Sequence, residues 1–220
     1  MLRITLVKIS IKFDKNETLN AMTETIKIPK ILIYEEFDGH PIYRKGYRDF
    51  MLGLKTIEEI NVGTSKLQYF ILGCMLKSLN KNLPDNYFAG ASELGLHLSN
   101  KMNFAADIAI YREGQLKVGF HSVKYEQKPP NVIIEVDIKI DESDYFQNEE
   151  EYFHKKTEKL LQWGVEKVIW VFSSSQRVLI ADNLQRWEFN SWNIPFIVID
   201  DIELNVWELM LKSGFEVNAE

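Results

Sequence analysis

In the run from Val132 to Ile140 the charged residues Glu135, Asp137 and Lys139 fall at every second position. An extended backbone sends successive side chains to opposite faces. This spacing therefore predicts a strand with Glu135, Asp137 and Lys139 on one side and Ile134, Val136, Ile138 and Ile140 on the other. Two carboxylates about 7 Å apart on one face repel by about 2–3 kcal/mol at an effective dielectric near 20. A cation or a neighbouring ammonium offsets that cost, so Glu-x-Asp-x-Lys is read as a metal site. The same alternation also describes an antiparallel strand with one wet face, and the pattern alone does not separate the two.

The 220 residues, 45% of them hydrophobic, are enough to close a sizeable core without requiring a second one. No internal repeat or low-complexity linker divides the chain. Residues 1–21 are read as an N-terminal extension and residues 22–220 as one domain. The lone Cys74 has no internal disulfide partner, and Lys8, Lys12, Asp14 and Lys15 interrupt the opening apolar residues as no secretion signal would. With no stretch near the roughly 18 apolar residues of a membrane span, the expected setting is a reducing cytoplasm with no membrane partner. A net charge of −6 argues against coating nucleic acid by bulk attraction, because that affinity comes from Lys and Arg neutralising phosphates.

Tyr34 to Gly39 reads as a strand ending in an Asp-Gly turn, followed by a helical region that includes Tyr47 to Ile60. Ser65 with Gln68 forms a capping-box pattern ahead of Leu67, Ile71, Cys74, Met75 and Leu79 at helical spacing. Strand patterns follow at Glu93 to Leu98, at Ala105 to Tyr111 and around Glu135. A helix capped by Asn148 and Glu151 then runs to Gly164, with an acidic first turn and Lys155, Lys156 and Lys159 later. Six of the eleven residues from Asp141 to Glu151 are acidic, the composition of a solvated loop and helix start. Apolar segments at Val168 to Phe172, Val178 to Ala181 and Ile194 to Ile199 read as strands, and Leu204 to Met210 closes the chain. Helices, a strand block, one crossover helix and more strands give an α/β (α+β) domain with a central mixed sheet flanked by helices.

Asp107 precedes Ile108 and Ile110, so a strand with these isoleucines inward turns the carboxylate to the opposite face. Carboxylates from two neighbouring strands, with an ammonium beside them, suit Mg²⁺ or Mn²⁺, since hard cations take oxygen ligands. Such an ion stabilises charge on a phosphoryl oxygen, and phosphodiester hydrolysis is the reaction that fits. Lys156 shares a helical stripe with Phe153 and Leu160, so it either snorkels or reaches the site. Glu93 shares a strand face with Gly95 and His97, and Glu35 lies in the Tyr34-Glu35 pair. Either is an accessory acid of the site, or Glu93 is an ordinary exposed strand residue and Glu35 part of a turn. Arg44, Lys45 and Arg48 beside Tyr43 and Tyr47 form a basic and aromatic group that suits gripping phosphates and stacking on a base of DNA and equally suits a solvated helix start. The four histidines and Cys74 form no zinc pattern, and no Gly-rich phosphate loop appears.

Tyr34-Glu35-Glu36-Phe37-Asp38-Gly39, the Asp107 strand, Pro130-Asn131-Val132-Ile133-Ile134-Glu135-Val136, and Lys156 through Gly164-Val165-Glu166-Lys167-Val168-Ile169-Trp170-Val171 resemble, in that order, the Uma-two family of restriction-endonuclease-like proteins. The resemblance runs from about residue 30 to the C-terminus. The family lies within the PD-(D/E)XK nuclease superfamily, which implies a restriction-endonuclease-like fold and Mg²⁺-dependent cleavage of DNA. It further implies that Asp107 and Glu135 bind metal, that Lys156 is the helix lysine and that Glu35 belongs to the early Tyr-Glu signature. Ala106 replaces the superfamily's Pro, and Asp137-Ile138-Lys139 supplies a second Asp-x-Lys, so Lys139 and Lys156 both stand as the catalytic lysine. A strand neighbour is held more rigidly than a helix side chain, which favours Lys139. The leading expectation is a Mg²⁺-dependent DNA endonuclease working as a homodimer. The alternative is an inactive nuclease-fold module that binds nucleic acid or protein. A glycosidase with paired carboxylates leaves Lys139 without a role.

Overall fold

The computed structural model describes residues 28–60, 64–117, 119, 122–140 and 145–216. The 1–21 extension, the residues that open the expected domain, His121 and residues 141–144 of the acidic run lie outside them.

After a 3₁₀ turn at Lys30–Leu32 come β1 (Ile33–Phe37) and β2 (His40–Tyr43), a hairpin turning at Asp38 and Gly39. The expected helical region is two short pieces, α1 (Tyr47–Met51) and α2 (Ile57–Ile60). Gly53, at φ +70, sits in the break between them, a conformation open to glycine at little cost. The long helix α3 (Lys66–Asn82) buries Ile71, Cys74, Met75 and Leu79, the stripe its spacing predicts. Two long strands, β3 (Tyr87–Ser99) and β4 (Met102–Arg112), pair antiparallel, and β5 (Val132–Val136) pairs with β4. Helix α4 (Glu149–Trp163) then carries the chain across to β6 (Lys167–Phe172), which lies parallel to β5. A parallel return needs such a crossover. Strands β7 (Arg177–Ala181) and β8 (Trp187–Ser191) extend the sheet, and β9 (Phe196–Ile199), β10 (Ile202–Leu204) and α5 (Val206–Lys212) complete the described chain.

The result is an eight-stranded, mostly antiparallel sheet in the order β2-β1-β4-β5-β6-β7-β8, with β3 also paired to β4. Alternation along β6 divides the core. Ile169 and Val171 face α3, α5 and the β9-β10 ribbon, whereas Val168 and Trp170 face α4. Trp170 is fully buried, and its indole N–H donates to Thr157 Oγ1 at 2.8 Å, fixing α4 against the sheet. Asn148 caps α4 through Glu151 N at 2.8 Å, and Gly164 at φ +117 ends it. Among the described residues no helix is long and apolar enough to cross a membrane.

The register around β4 builds the scaffold of the charged site. Strand β3 occupies one edge of β4 along nearly its whole length. The other edge is shared: β1 pairs at Asn103, and β5 pairs at Ile108 to Ile110. Between these two contacts the sheet forks, and main-chain groups of β4 lose their ladder partners. The side-chain alternation slips at the same place, since Phe104 and Ala106 join the α4 core whereas Ile108 and Ile110 join the α3 core. A β-bulge on β3 between Ala91 and Leu94 lies opposite, with Glu93 at φ +48.

Candidate active site

Buried polar groups need partners, and in the fork side chains provide them. Glu35 on β1 accepts from Ala105 N at 2.9 Å and from Lys156 Nζ at 2.7 Å through Oε1, and from the Tyr152 hydroxyl at 2.7 Å through Oε2. Lys156 Nζ also donates to Ala105 O at 2.9 Å. Glu35 and Lys156 thus stand in for a missing strand partner of Ala105. Asp107 does the same for β5, its Oδ2 accepting from Val136 N at 2.9 Å. All of these residues are buried.

Glu135 enters from β5. Its Oε1 lies 2.9 Å from Lys156 Nζ, off the line of a good hydrogen bond, and it is a buried oxygen with no hydrogen-bond partner. Burial pushes the Glu135 carboxyl up to about 8; Lys156 opposes this, and Asp107 and Glu35 add to it. Burial alone would lower Lys156, but Glu135 and Glu35 outweigh it and hold the ammonium above its usual range.

Lys139 lies on the open side. Its Nζ is paired with Asp107 Oδ1 and, at 3.2 Å, with Glu93 Oε1. Glu93 Oε2 in turn lies 3.4 Å from Arg44 Nη2, and the Arg44 guanidinium sits over the Tyr34 ring, 4.9 Å from its centroid. Burial would raise the Glu93 carboxyl, but Lys139 and Arg44 outweigh it and hold it below its usual range. Asp107 and Lys139 line a cleft of about 880 Å³ together with Arg44, Lys45, Gln68 and Tyr69.

Several expectations change. The β5 ladder stops at Val136, so Lys139 reaches the site from a loop, not from a strand. Asp137 does not share a face with Glu135. At φ +59 it leaves the strand, and its carboxylate accepts from Ser173 N and Ser173 Oγ, both at 2.7 Å. The Asp137 N–H still donates to Val171 O, so the chain turns just after its last sheet contact and the period of two ends there. Glu93 does not continue a regular strand face with Gly95 and His97, because the bulge intervenes. The basic group separates: Arg44 joins the site, Lys45 lines the cleft and pairs with Glu149 at 3.3 Å, and Arg48 lies along Tyr47.

Three contributors escaped the sequence reading. Tyr152 sits one helical turn before Lys156, and that spacing is the signal that would have found it. Tyr34 supports Arg44. Gln68 completes only half of a capping box: its N–H binds Ser65 Oγ, but its side chain leaves the helix and donates from Nε2 to Val136 O at 2.5 Å. No local pattern marks that long-range contact.

Among the described residues no three His, Cys, Asp or Glu side chains form a metal cage. Of the four carboxyl groups (Glu35, Glu93, Asp107 and Glu135) gathered around Arg44, Lys139 and Lys156, Glu135 nevertheless carries a buried oxygen with no hydrogen-bond partner. That fits one added cation. Mg²⁺ commonly takes only one or two carboxylates and keeps several waters.

This arrangement is an α+β fold built on a central sheet, with a charged site at the fork of that sheet. No protein-family model matches the chain, and no curated protein matches it. The chain is similar to a crystal structure, at 1.96 Å resolution, of a candidate nuclease belonging to DUF820 from Anabaena variabilis ATCC 29413. The match covers 80% of this chain and 89% of that one, with a TM-score of 0.57 and 14% identity, so what the two share is the fold.

Proposed function

We propose that this protein is a metal-dependent nuclease that hydrolyses phosphodiester bonds in DNA, of the kind the Uma-two resemblance implies. The observation that carries the reading is the Asp107–Lys139 pair lining an open cleft, with Glu135 buried behind it on the adjacent strand β5, near enough for the two carboxylates to repel. Asp107 and Glu135 are the residues that would hold Mg²⁺ or Mn²⁺, which when bound supplies Lewis-acid stabilisation of the phosphoryl oxygens.

The chain's own groups divide the remaining work. Lys139 faces the cleft and is the ammonium able to touch a phosphate, whereas Lys156 is sealed in the core and positions Glu135 and Glu35. Gln68 and Asp107 clamp both main-chain groups of Val136, fixing the end of β5 from which Glu135 projects. Arg44 and Lys45 offer positive charge along the cleft wall. A homodimer is the arrangement by which a chain of this size would cut both strands.

Supercoiled plasmid incubated with Mg²⁺ or Mn²⁺ tests the reading. Nicking by the native protein, with loss in Asp107→Asn and in Lys139→Ala, is the expected result. Equal nicking by all three, or by none across plasmid and single-stranded substrates, overturns it. A second reading, a nuclease-fold module that binds without cutting, draws on Asp107, whose two oxygens are already engaged by Lys139 and the Val136 N–H. It predicts no nicking and no heat of Mn²⁺ binding.

A further inference from the structure

The Glu93 carboxylate spans two cations, with one oxygen 3.4 Å from Arg44 and the other 3.2 Å from Lys139. Charge-assisted bonds ordinarily close to about 2.7–2.9 Å, so both pairs are loose. The cations, by contrast, are held without Glu93. Lys45 N donates to Lys139 O at 2.9 Å, and Arg44 bridges to Ile140, so the two backbone segments are fastened side by side. Tyr34 supports the Arg44 guanidinium, and Asp107 holds the Lys139 ammonium. Glu93 is the strained member, a non-glycine residue at φ +48 on a bulge, with about a third of its side chain open to solvent. Arg44 and Glu93 line both the large cleft and a second one of about 570 Å³, so they stand as the wall between the two.

We propose that the gap between Arg44 and Lys139 is a seat for a phosphodiester group of a nucleic-acid strand, held here by the Glu93 carboxylate as a removable internal mimic. A phosphate offers two oxygens in the same bridging geometry, and it displaces a side chain whose contacts are long and whose backbone is strained. Swinging Glu93 aside joins the two clefts into one track beside Asp107. The strand's role as substrate rests on the nuclease reading, whereas the seat's preference for phosphate does not.

The test is anisotropy of a short fluorescein-labelled DNA strand bound to the full chain in EDTA, so that cleavage plays no part. Glu93→Gln removes the carboxylate that both cations share, leaving Lys139 on Asp107 and Arg44 over Tyr34. Because a partly exposed ion pair is worth at most about a fivefold factor, removing the two together predicts a gain in affinity of more than about twofold and up to about 25-fold. The slope of log affinity against log salt steepens by about 0.7, the value for one further phosphate contact on a single strand. Glu59→Gln is the control, a cleft carboxylate whose Oε2 is spent on Thr56 N; it makes the same charge change and is expected to alter affinity less than about twofold. Arg44→Ala added to Glu93→Gln is expected to abolish the gain. Glu93→Asn, a residue more at ease at positive φ, decides the matter if the Gln variant melts early. A gain no larger than that of Glu59→Gln, or one that survives Arg44→Ala, overturns the proposal. A protein that gains affinity as expected but nicks no substrate keeps the seat and loses the nuclease reading, and the reverse outcome loses only the seat.

Discussion

Glu135→Gln should make the protein more stable than the native chain, and increasingly so as pH rises. Glu135 is the carboxylate left over when its neighbours are paired, and burial moves it from an ordinary value of 4.5 to about 8. Below about pH 4.5 the folded and unfolded chains both hold its proton. Between there and about pH 8 only the folded chain does, so stability falls as pH rises, and above about pH 8 both forms are ionised and the slope ends. At about 1.4 kcal/mol per pH unit, the interval sets a ceiling of about 5 kcal/mol. Glutamine keeps the shape and cannot ionise. Urea unfolding of both proteins in EDTA at several pH values from 5 to 9 measures the difference, in which all other titrations cancel to first order. The gap in favour of Glu135→Gln should widen steadily up to about pH 8 and then level off. Added Mn²⁺ should narrow it at pH 8, because an ion bound only by the folded state adds stability. A gap that stays flat with pH, or shrinks as pH rises, would refute the charge accounting on which the site rests.

Lys156→Met leaves Glu35 and Glu135 without their shared cation and should cost about 3–5 kcal/mol, seen as a fall of roughly 8–15 °C in melting temperature. Lys139→Ala should lower the nicking rate by about a hundredfold or more with a much smaller thermal shift, since its ammonium faces the cleft; comparing melting and nicking of the two lysine variants separates the roles. Asp137→Ala should cost about 2–3 kcal/mol in urea unfolding through its lost bonds to Ser173, while nicking per folded molecule stays the same. Asn148→Ala should remove about 1 kcal/mol by uncapping α4, which the same unfolding curves detect.

The sequence disclosed what depends on local period and on end signals. The α3 stripe, the Asn148 cap, the Gly164 stop and the sheet strands from Asp107 through Ala181 were legible because burial on one face writes a repeat into the chain. The burial of Lys156 was foreshadowed by its neighbours Phe153 and Leu160. Asp137 misled because alternation gives no sign of where a strand ends; only the Ser173 contact, 36 positions away, turns it. Strand β8 passed unnoticed, since its edge position leaves most of its residues exposed and its apolar pattern faint. Gln68 acts through a contact 68 positions away, and no window of neighbouring residues contains that information.

The fork in the sheet ties scaffold and chemistry together unequally. Glu35 and Lys156 complete the main-chain bonding of β4, so a descendant that no longer cut anything would still be under pressure to retain them. Lys139 and Glu93 carry no such duty and would drift first once selection for cleavage relaxed. On the proposed nuclease reading, the state of the cleft-facing pair, not of the interior one, is what would separate working from retired copies of this architecture.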